Sequence, residues 1–170
     1  MMRAYTIILQ ERVTFLKLKG YRSTYHEDVR HYVQTEELLR YTGTPQDNIA
    51  ISATTPTHHS ILVYEKNQLV CFFALDEGAL KTQYTSEPSA FVLRSFSTDA
   101  RYLRRGYGKQ ALMLLPDFVR NQFPDIKEIV LGVNQNNLPA QALYEKVGFV
   151  ANGRILQGPK GPQNILMLSI

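Results

Sequence analysis

The sequence contains a single cysteine in 170 residues, and it has no apolar run near the length of about 20 residues that a membrane-spanning helix needs. Cys71 therefore has no partner for a disulfide within the chain, and we interpret it as a small buried hydrophobe. The apolar run Ile7-Ile8-Leu9 is too short for the core of a signal peptide, and no small-residue cleavage site follows it. These absences predict a soluble protein, and the cysteine usage fits a cytoplasmic location.

A long basic stripe with interleaved aromatic residues, which a reader of nucleic-acid grooves would need, is also absent. The net charge of +4 by itself fits either a nucleic-acid binder or an enzyme with a polyanionic cofactor. The distribution of positive charge along the chain is more informative. Most cations are scattered among acids, but four are concentrated between a predicted strand and the helix that follows it. These four are Arg101, Arg104, Arg105 and Lys109. We interpret the junction as one concentrated anion site.

Hydrophobic residues form 44% of the chain, enough for a substantial core, and the length predicts one domain over residues 1–170. Alternating or continuous apolar runs predict strands over residues 12–19, 60–64, 69–75, 91–97, 126–133, 149–156 and 165–170. The second and third of these form a predicted hairpin. The last two form another, around Gly158-Pro159-Lys160-Gly161-Pro162.

Helical spacing predicts interrupted helices between Tyr25 and Leu39, the second of them capped by Thr35. Thr44, followed by a proline, is typical of another capped start. Residues 42–58 otherwise show no clear pattern, and we interpret them as a connection.

A longer helix is predicted from Tyr107 onward. Pro116 should kink or break it about midway, because proline removes the hydrogen bond to the carbonyl four residues earlier. Asn137 is the predicted cap of a last helix, which runs to Val147 and stops at Gly148.

The stretch Arg104-Arg105-Gly106-Tyr107-Gly108-Lys109 joins the strand over 91–97 directly to the helix that follows. Its two glycines allow the backbone to approach an anion closely, and the first amides of a helix have no partner inside the helix. Strand, turn, helix and strand in this order predict a right-handed crossover between parallel strands, with the turn at the carboxyl end of the first. The turn is a candidate phosphate site, and an ordinary tight turn is the alternative.

A second motif, Asn137-Leu138-Pro139-Ala140-Gln141-Ala142-Leu143-Tyr144-Glu145-Lys146-Val147-Gly148-Phe149, follows at the next helix. Together with the basic glycine turn, it resembles the GCN5-related N-acetyltransferase (GNAT) family, strongly over residues 90–155 and in element order elsewhere. The resemblance implies a mixed α/β fold with a central, mostly antiparallel sheet that is splayed at a parallel strand pair and flanked by helices. It also implies acetyl-CoA as the co-substrate and no metal.

In this resemblance the glycine turn is the pyrophosphate loop, of the form Gln/Arg-x-x-Gly-x-Gly/Ala, with its glycines at Gly106 and Gly108. Leu103 departs from the pattern, since the family has Gln or Arg at this position. Most phosphate contacts in such a loop come from backbone amides, which survive the change. The implied cofactor-binding residues of this segment are the two glycines together with Arg104, Arg105, Tyr107 and Lys109.

The resemblance further places Phe96, Ser97 and Thr98 beside the pantetheine arm of acetyl-CoA. It places Asn137 beside the cofactor and Tyr144 near the sulfur. Two of these residues have an implied catalytic role: the Phe96 amide stabilises the oxyanion, and Tyr144 protonates the departing thiolate. Ordinary core packing is the alternative for Tyr144.

In this chemistry an amine attacks the thioester carbonyl directly, so no nucleophilic side chain is required and we expect no catalytic role for Cys71. The general base is not identifiable from the sequence. Asp76, Glu77 and Glu87 precede the implied cofactor strand and are candidates that would act through water.

Two other pairs of residues have simple interpretations. His58-His59 resembles half a metal site, but no carboxylate or cysteine lies at ligand spacing, so we interpret the pair as exposed loop residues. Glu36-Glu37 is a solvated helix face or a complement to the helix dipole. In this fold the early helices also border the acceptor cleft, where such acids would attract a cationic amine.

We therefore expect an acyltransferase that acetylates a small primary amine, such as a polyamine, an amino sugar or an amino acid derivative, in a ternary complex. A non-catalytic acyl-CoA-binding sensor or interaction protein of the same fold is the alternative, to which the altered Leu103 gives weight. Nucleic-acid binding through residues 101–109 is a third hypothesis, although we expect neither a nucleic-acid nor a membrane partner. Homodimerisation through a terminal strand stays open.

Overall fold

The computed structural model describes residues 15–170, and its strands form one seven-stranded sheet. The strands are β1 (Leu16–Gly20), β2 (His58–Glu65), β3 (Gln68–Asp76), β4 (Ala90–Thr98), β5 (Glu128–Asn134), β6 (Val150–Gly158) and β7 (Gly161–Ser169). Their order in the sheet is β1-β2-β3-β4-β5-β7-β6, and neighbouring strands are antiparallel except for β4 and β5. The expected α/β fold with one parallel pair is confirmed. The first part of the predicted strand over 12–19 lies outside the described residues.

Helices cover both faces of this sheet. They are α1 (His26–Arg30), α2 (Glu36–Leu39), α3 (Pro45–Thr54), α4 (Tyr107–Gln122) and α5 (Leu138–Lys146), with short 3-10 turns at Ser23–Tyr25, Ala79–Gln83 and Ala100–Tyr102. Residues of α1 and α3 pack against Leu62 and Phe72 on one face, which we call the α3 face. Residues of α4 and α5 pack against Phe73 and Leu75 on the other, the α4 face.

Local capping explains where three of these helices begin. The side chains of Thr35, Thr44 and Asn137 each accept a hydrogen bond from the amide three residues later, at 3.1 to 3.3 Å. Each bond satisfies one of the amides that a helix leaves unpaired at its start. The three predicted caps are therefore confirmed, as is the end of α5 at Gly148, which has a φ of 104°.

Two stretches differ from their predicted boundaries. Residues 42–58, interpreted as a connection, contain the whole of α3, because the threonine cap and the proline after it start a regular helix. Both predicted hairpins are confirmed, but β7 begins at Gly161 instead of Ile165. Gln163 and Asn164 pair with both β5 and β6. Because they are polar, the apolar pattern predicted only the second half of β7.

Helix α4 runs without interruption from Tyr107 to Gln122, so of the kink or break expected at Pro116 the break does not occur. Its buried residues Ala111, Leu115 and Val119 pack into the core on both sides of the proline. Most helical stability in proteins comes from such packing, so the two halves stay helical although Pro116 donates no hydrogen bond.

Candidate active site

The centre of the site is a cleft where β4 and β5 separate. The two strands pair only over residues 90–92 and 128–130, although β4 continues to Thr98 and β5 to Asn134. The resulting cleft has a volume of about 840 Å³ and is lined by both strands, by α2, α3 and α5, and by the turn between β6 and β7. The expected splay at the parallel pair is confirmed.

Strand β4 carries a bulge beside this cleft. In its pairing with β3, Ser95 and Phe96 together lie opposite the single residue Phe73. Ser95 has a φ of 52°, in a region that non-glycine residues rarely adopt. A bulge leaves its extra residue out of the hydrogen-bond ladder, and both Ser95 and Phe96 line the cleft. The irregular part of the ladder therefore lies in the wall of the cleft.

The basic glycine turn forms the start of α4. Gly106, with a φ of 81°, is the N-cap residue and has no side chain to accept from the first amides of the helix. The N-cap residue therefore gives no side-chain hydrogen bond to the amides of Tyr107, Gly108 and Lys109, the first of α4. An anion at this point would receive their hydrogen bonds and the favourable end of the helix dipole.

Gly108 brings the start of α4 against the bulged strand. A Cβ at Gly108 would lie 3.3 Å from Thr98 Oγ1 and 3.6 Å from the ring of Phe96. Such a side chain would not fit unless its neighbours moved. Leu103 and Thr98 line the cleft but residues 104–109 do not, so the structure brings the glycine turn against the bulged strand, beside the cleft and not into its lining.

A buried aspartate fixes the approach to the turn. Asp99 accepts hydrogen bonds from the Arg101 guanidinium at 2.8 and 2.9 Å and from the backbone amides of Arg101 and Val33. Burial alone would raise the pKa of Asp99, but these hydrogen bonds together lower it. We expected β4 to run directly into the glycine turn. Instead, Ala100–Tyr102 forms a 3-10 turn between them. Arg101 is committed to Asp99, which leaves Arg104, Arg105 and Lys109 as the cations for an anion.

Two expected cofactor-binding residues have their side chains engaged elsewhere. The Oγ of buried Ser97 lies 2.9 Å from the Tyr32 hydroxyl, which also donates to the Ser97 carbonyl oxygen. The Tyr107 hydroxyl donates to the Glu65 carboxylate, and this bond, followed by burial, raises the pKa of Tyr107. The side chains of both residues are therefore committed to the fold.

Tyr144 lies on α5 with its ring in the wall of the cleft. The ring centroid is 6.2 Å from that of Phe96 and 5.6 Å from that of Phe149. No hydrogen-bond partner for its hydroxyl is found among residues 15–170, and burial raises the pKa of Tyr144. Asn137 also lines the cleft, while its side chain caps α5. The structure thus brings Phe96, Tyr144 and Asn137 to one cavity.

The candidate bases do not lie in this cavity. Asp76 and Glu77 are engaged with Arg94 and His59, and Glu87 accepts from the amide of Ser89. None of the three belongs to the cleft lining. The cleft does contain Glu37, as expected for an acid on the early helices.

His58 was expected to be an exposed loop residue, and this prediction is wrong. It is buried in β2, where its Nε2 lies 3.0 Å from Asn48 Oδ1, and burial lowers the pKa of His58. His59 is half-buried, 3.3 Å from Glu77. Residues 15–170 contain no group of three or more His, Cys, Asp or Glu side chains arranged to hold a metal ion.

The sequence reasoning missed three charged residues that line the cleft: Arg94, Asp47 and Lys160, the last of which was considered only as part of a turn. Arg94 did carry a signal, because a cation inside an apolar strand must have a reason to be half-buried there. Asp47 gave none, since an acid in the first turn of a helix is ordinary.

Comparison with known proteins agrees with this geometry. The profile of the acetyltransferase (GNAT) family matches residues 21–149. The chain belongs to this family. The uncharacterized N-acetyltransferase YbbJ of Bacillus subtilis is 32% identical over 152 residues, which cover 89% of this chain and 95% of that protein. The chain is therefore an acyltransferase of the N-acetyltransferase type, and acetyl-CoA is its acyl donor.

Solved structures show the same fold. The aminoglycoside acetyltransferase AAC(6')-Ib with coenzyme A has a TM-score of 0.74 at 15% identity, covering 91% of this chain and 95% of that one. The spermidine N-acetyltransferase of Vibrio cholerae, with CoA and spermine, has a TM-score of 0.68 at 13% identity and the same coverage. Among the described residues, no helix is long and apolar enough to cross a membrane.

Proposed function

We propose that this GNAT chain acts as one domain that transfers the acetyl group of acetyl-CoA to a small primary amine by direct attack in a ternary complex. The observation that carries the proposal is the cleft between β4 and β5, with the Phe96 bulge and Tyr144 on its walls and Gly108 of α4 close to Thr98 in its lining. Two of the structural neighbours are complexes with kanamycin and with spermine, which are small amines, and a cleft of about 840 Å³ suits acceptors of that kind.

At the cofactor end, the first amides of α4, those of Tyr107, Gly108 and Lys109, bind the pyrophosphate of acetyl-CoA. The Arg104, Arg105 and Lys109 side chains supply positive charge around it. Leu103 removes one side-chain contact that relatives have, but the amides that do most of the binding are those of the backbone.

At the reacting centre, the backbone of Phe96 and Thr98 and the side chain of Asn137 hold the pantetheine arm. The amine nitrogen bonds to the thioester carbonyl carbon, and the C–S bond then breaks. The Phe96 amide stabilises the oxyanion, a contribution of about 3 kcal/mol for one such donor. The Tyr144 hydroxyl donates its proton to the leaving thiolate, and the proton lost by the amine leaves through water.

The first experiment is titration of the protein with acetyl-CoA by calorimetry, comparing wild type with Gly106→Glu. We expect saturable binding that Gly106→Glu abolishes, because a carboxylate there repels the pyrophosphate. Gly153→Glu is a matched control: Gly153 also has a positive φ, of 82°, and a Cβ there meets nothing within 4 Å. Both substitutions strain the backbone equally, but only the first lies at the site.

The second measurement is release of free CoA thiol with a panel of small amines. Turnover that depends on the amine supports the enzyme. Binding of acetyl-CoA without turnover on any amine would favour the sensor, and retention on a polyanion that acetyl-CoA does not compete away would favour nucleic-acid binding.

A further inference from the structure

Arg94 is a cation in the lining of the cleft. It lies on β4 two residues before Phe96, pairs with Ala74 across the sheet and lines the cleft. Its Nε is 3.3 Å from Asp76 Oδ2, and Asp76 is in turn 3.8 Å from His58 Nδ1. Since His58 contacts Asn48 of α3, this cluster lies on the α3 face, opposite α4 and its glycine turn.

The charge of Arg94 is only partly satisfied by the fold. Asp76 is shared, because its Oδ1 accepts from the Gly78 amide at 2.8 Å. The Arg94 Nε is buried and makes no hydrogen bond of normal geometry, and residues 15–170 offer no recorded partner to its two terminal nitrogens. About a third of the side chain, 32%, is exposed. The forked end of the guanidinium is therefore available to a ligand in the cleft.

The planar geometry of the Arg94 guanidinium determines which ligand it binds best. Guanidinium presents two parallel N–H donors in a plane, which match the two oxygens of a carboxylate and form charge-assisted hydrogen bonds. Two residues span at most roughly 7 Å of backbone, so a carboxylate at Arg94 and an amine beside Phe96 fit within one small molecule.

The other charges of the cleft fit the same ligand. Glu37 and Asp47 line it and attract an ammonium group. The Lys160 Nζ lies at the mouth and donates to the Leu39 carbonyl oxygen at 2.7 Å. A polyamine would bring its second cation toward Arg94, which is unfavourable, whereas a molecule with one amine and one carboxylate meets an opposite charge at each end.

We infer that Arg94 binds a carboxylate of the acceptor, so that the preferred substrate is a small amino acid or a similar carboxylate-bearing amine. This inference rests on the proposed function. It makes Arg94 a specificity-determining residue, and it separates this enzyme from acetyltransferases of polyamines and amino sugars.

The test measures kcat/KM by CoA release for matched pairs: glycine with glycinamide, and β-alanine with β-alaninamide. The ratio of acid to amide is compared between wild type and Arg94→Gln, because that double ratio cancels the different basicities of the two amines. We expect the ratio to fall about 10- to 100-fold in Arg94→Gln, the effect of losing a hydrogen bond to a charged group. Arg94→Lys keeps the positive charge but not the two parallel donors, so its acid-to-amide ratio should lie between those of wild type and Arg94→Gln.

Arg120→Gln is the matched control, since Arg120 is an exposed arginine on α4 paired only with Asp117. It should leave the ratio unchanged, and acetyl-CoA binding should be unchanged in Arg94→Gln. If Arg94→Gln does not fold, wild type decides alone: glycine or β-alanine must exceed spermidine and kanamycin in kcat/KM.

The inference is overturned if each acid and its amide differ in kcat/KM only as their amine basicities require, and if Arg94→Gln leaves the acid-to-amide ratio of kcat/KM unchanged. The proposed function then remains intact. Acetyl-CoA binding with no CoA release from any of these amines overturns the proposed function itself.

Discussion

At the scale of single residues, the chemistry depends on what surrounds the Tyr144 hydroxyl. Burial raises its pKa, so the group stays protonated at every pH at which the protein would work. A raised pKa also makes complete proton transfer to a thiolate less favourable. In our proposal Tyr144 therefore donates a hydrogen bond as negative charge develops on the sulfur, and its proton moves to the sulfur as water returns the amine's proton to the phenol oxygen.

Replacing Tyr144 by phenylalanine removes the donor and keeps the ring contacts with Phe96 and Phe149. We expect kcat to fall about 100-fold or more, the usual contribution of a positioned acid, while the affinity for acetyl-CoA changes little. The measurement is steady-state CoA release together with calorimetry. Tyr25→Phe, in a ring pair with Tyr64 outside the cleft, should retain full activity. An unchanged kcat in Tyr144→Phe would assign the tyrosine to core packing.

At the scale of elements, the features that depend only on residues close together in the chain could be predicted from the sequence. The caps at Thr35, Thr44 and Asn137 and the β2–β3 hairpin follow from short-range patterns, and they are confirmed. The bulge at Ser95 and the separation of β4 from β5 were not derivable from such patterns, because strand register depends on partners distant in sequence. Only the family resemblance anticipated the splay, and nothing anticipated the orientation of Arg94 toward the cleft.

Helix α4 tests how far packing overrides local preference. Pro116 leaves the Leu112 carbonyl without its helical donor, yet the helix continues. We expect Pro116→Ala to raise the free energy of unfolding by about 1 to 2 kcal/mol, since restored hydrogen bonding and propensity exceed the lost rigidity of the unfolded chain. Urea unfolding measures the change, and acetyl-CoA affinity should be unaltered because Pro116 is far along the helix from the glycine turn. A decrease in stability would mean that the proline ring itself packs favourably.

At the scale of the whole molecule, the two faces of the sheet divide the work. The α4 face carries the glycine turn and Tyr144, which serve acetyl-CoA in our proposal, and the α3 face carries Arg94 for the acceptor. Strands β4 and β5 separate beyond residues 92 and 130, and in our proposal the acceptor amine meets the acetyl group at this opening, beside the bulge. The core around this opening also contains a thiol and two phenol groups, which lose their protons only at high pH.

That core makes the protein sensitive to alkali. Burial raises the pKa of the Cys71 thiol to about 12, and burial also raises the pKa of Tyr32 and Tyr144. Above about pH 8.5 the unfolded chain loses the thiol proton that the folded chain keeps, so stability falls as pH rises, by about 1.4 kcal/mol per pH unit for each such group. The tyrosines add to this loss above about pH 10.

Urea unfolding between pH 8 and pH 10 isolates the thiol when wild type is compared with Cys71→Ala. The alanine variant starts from a lower stability, because it loses a buried side chain, but its free energy of unfolding should fall less steeply with pH. The difference in slope belongs to Cys71 alone, since all other groups are common to both proteins. Parallel lines for the two proteins would show that the thiol ionises in the folded state as readily as in the unfolded chain, and that the sheet beside Thr98 is open to solvent.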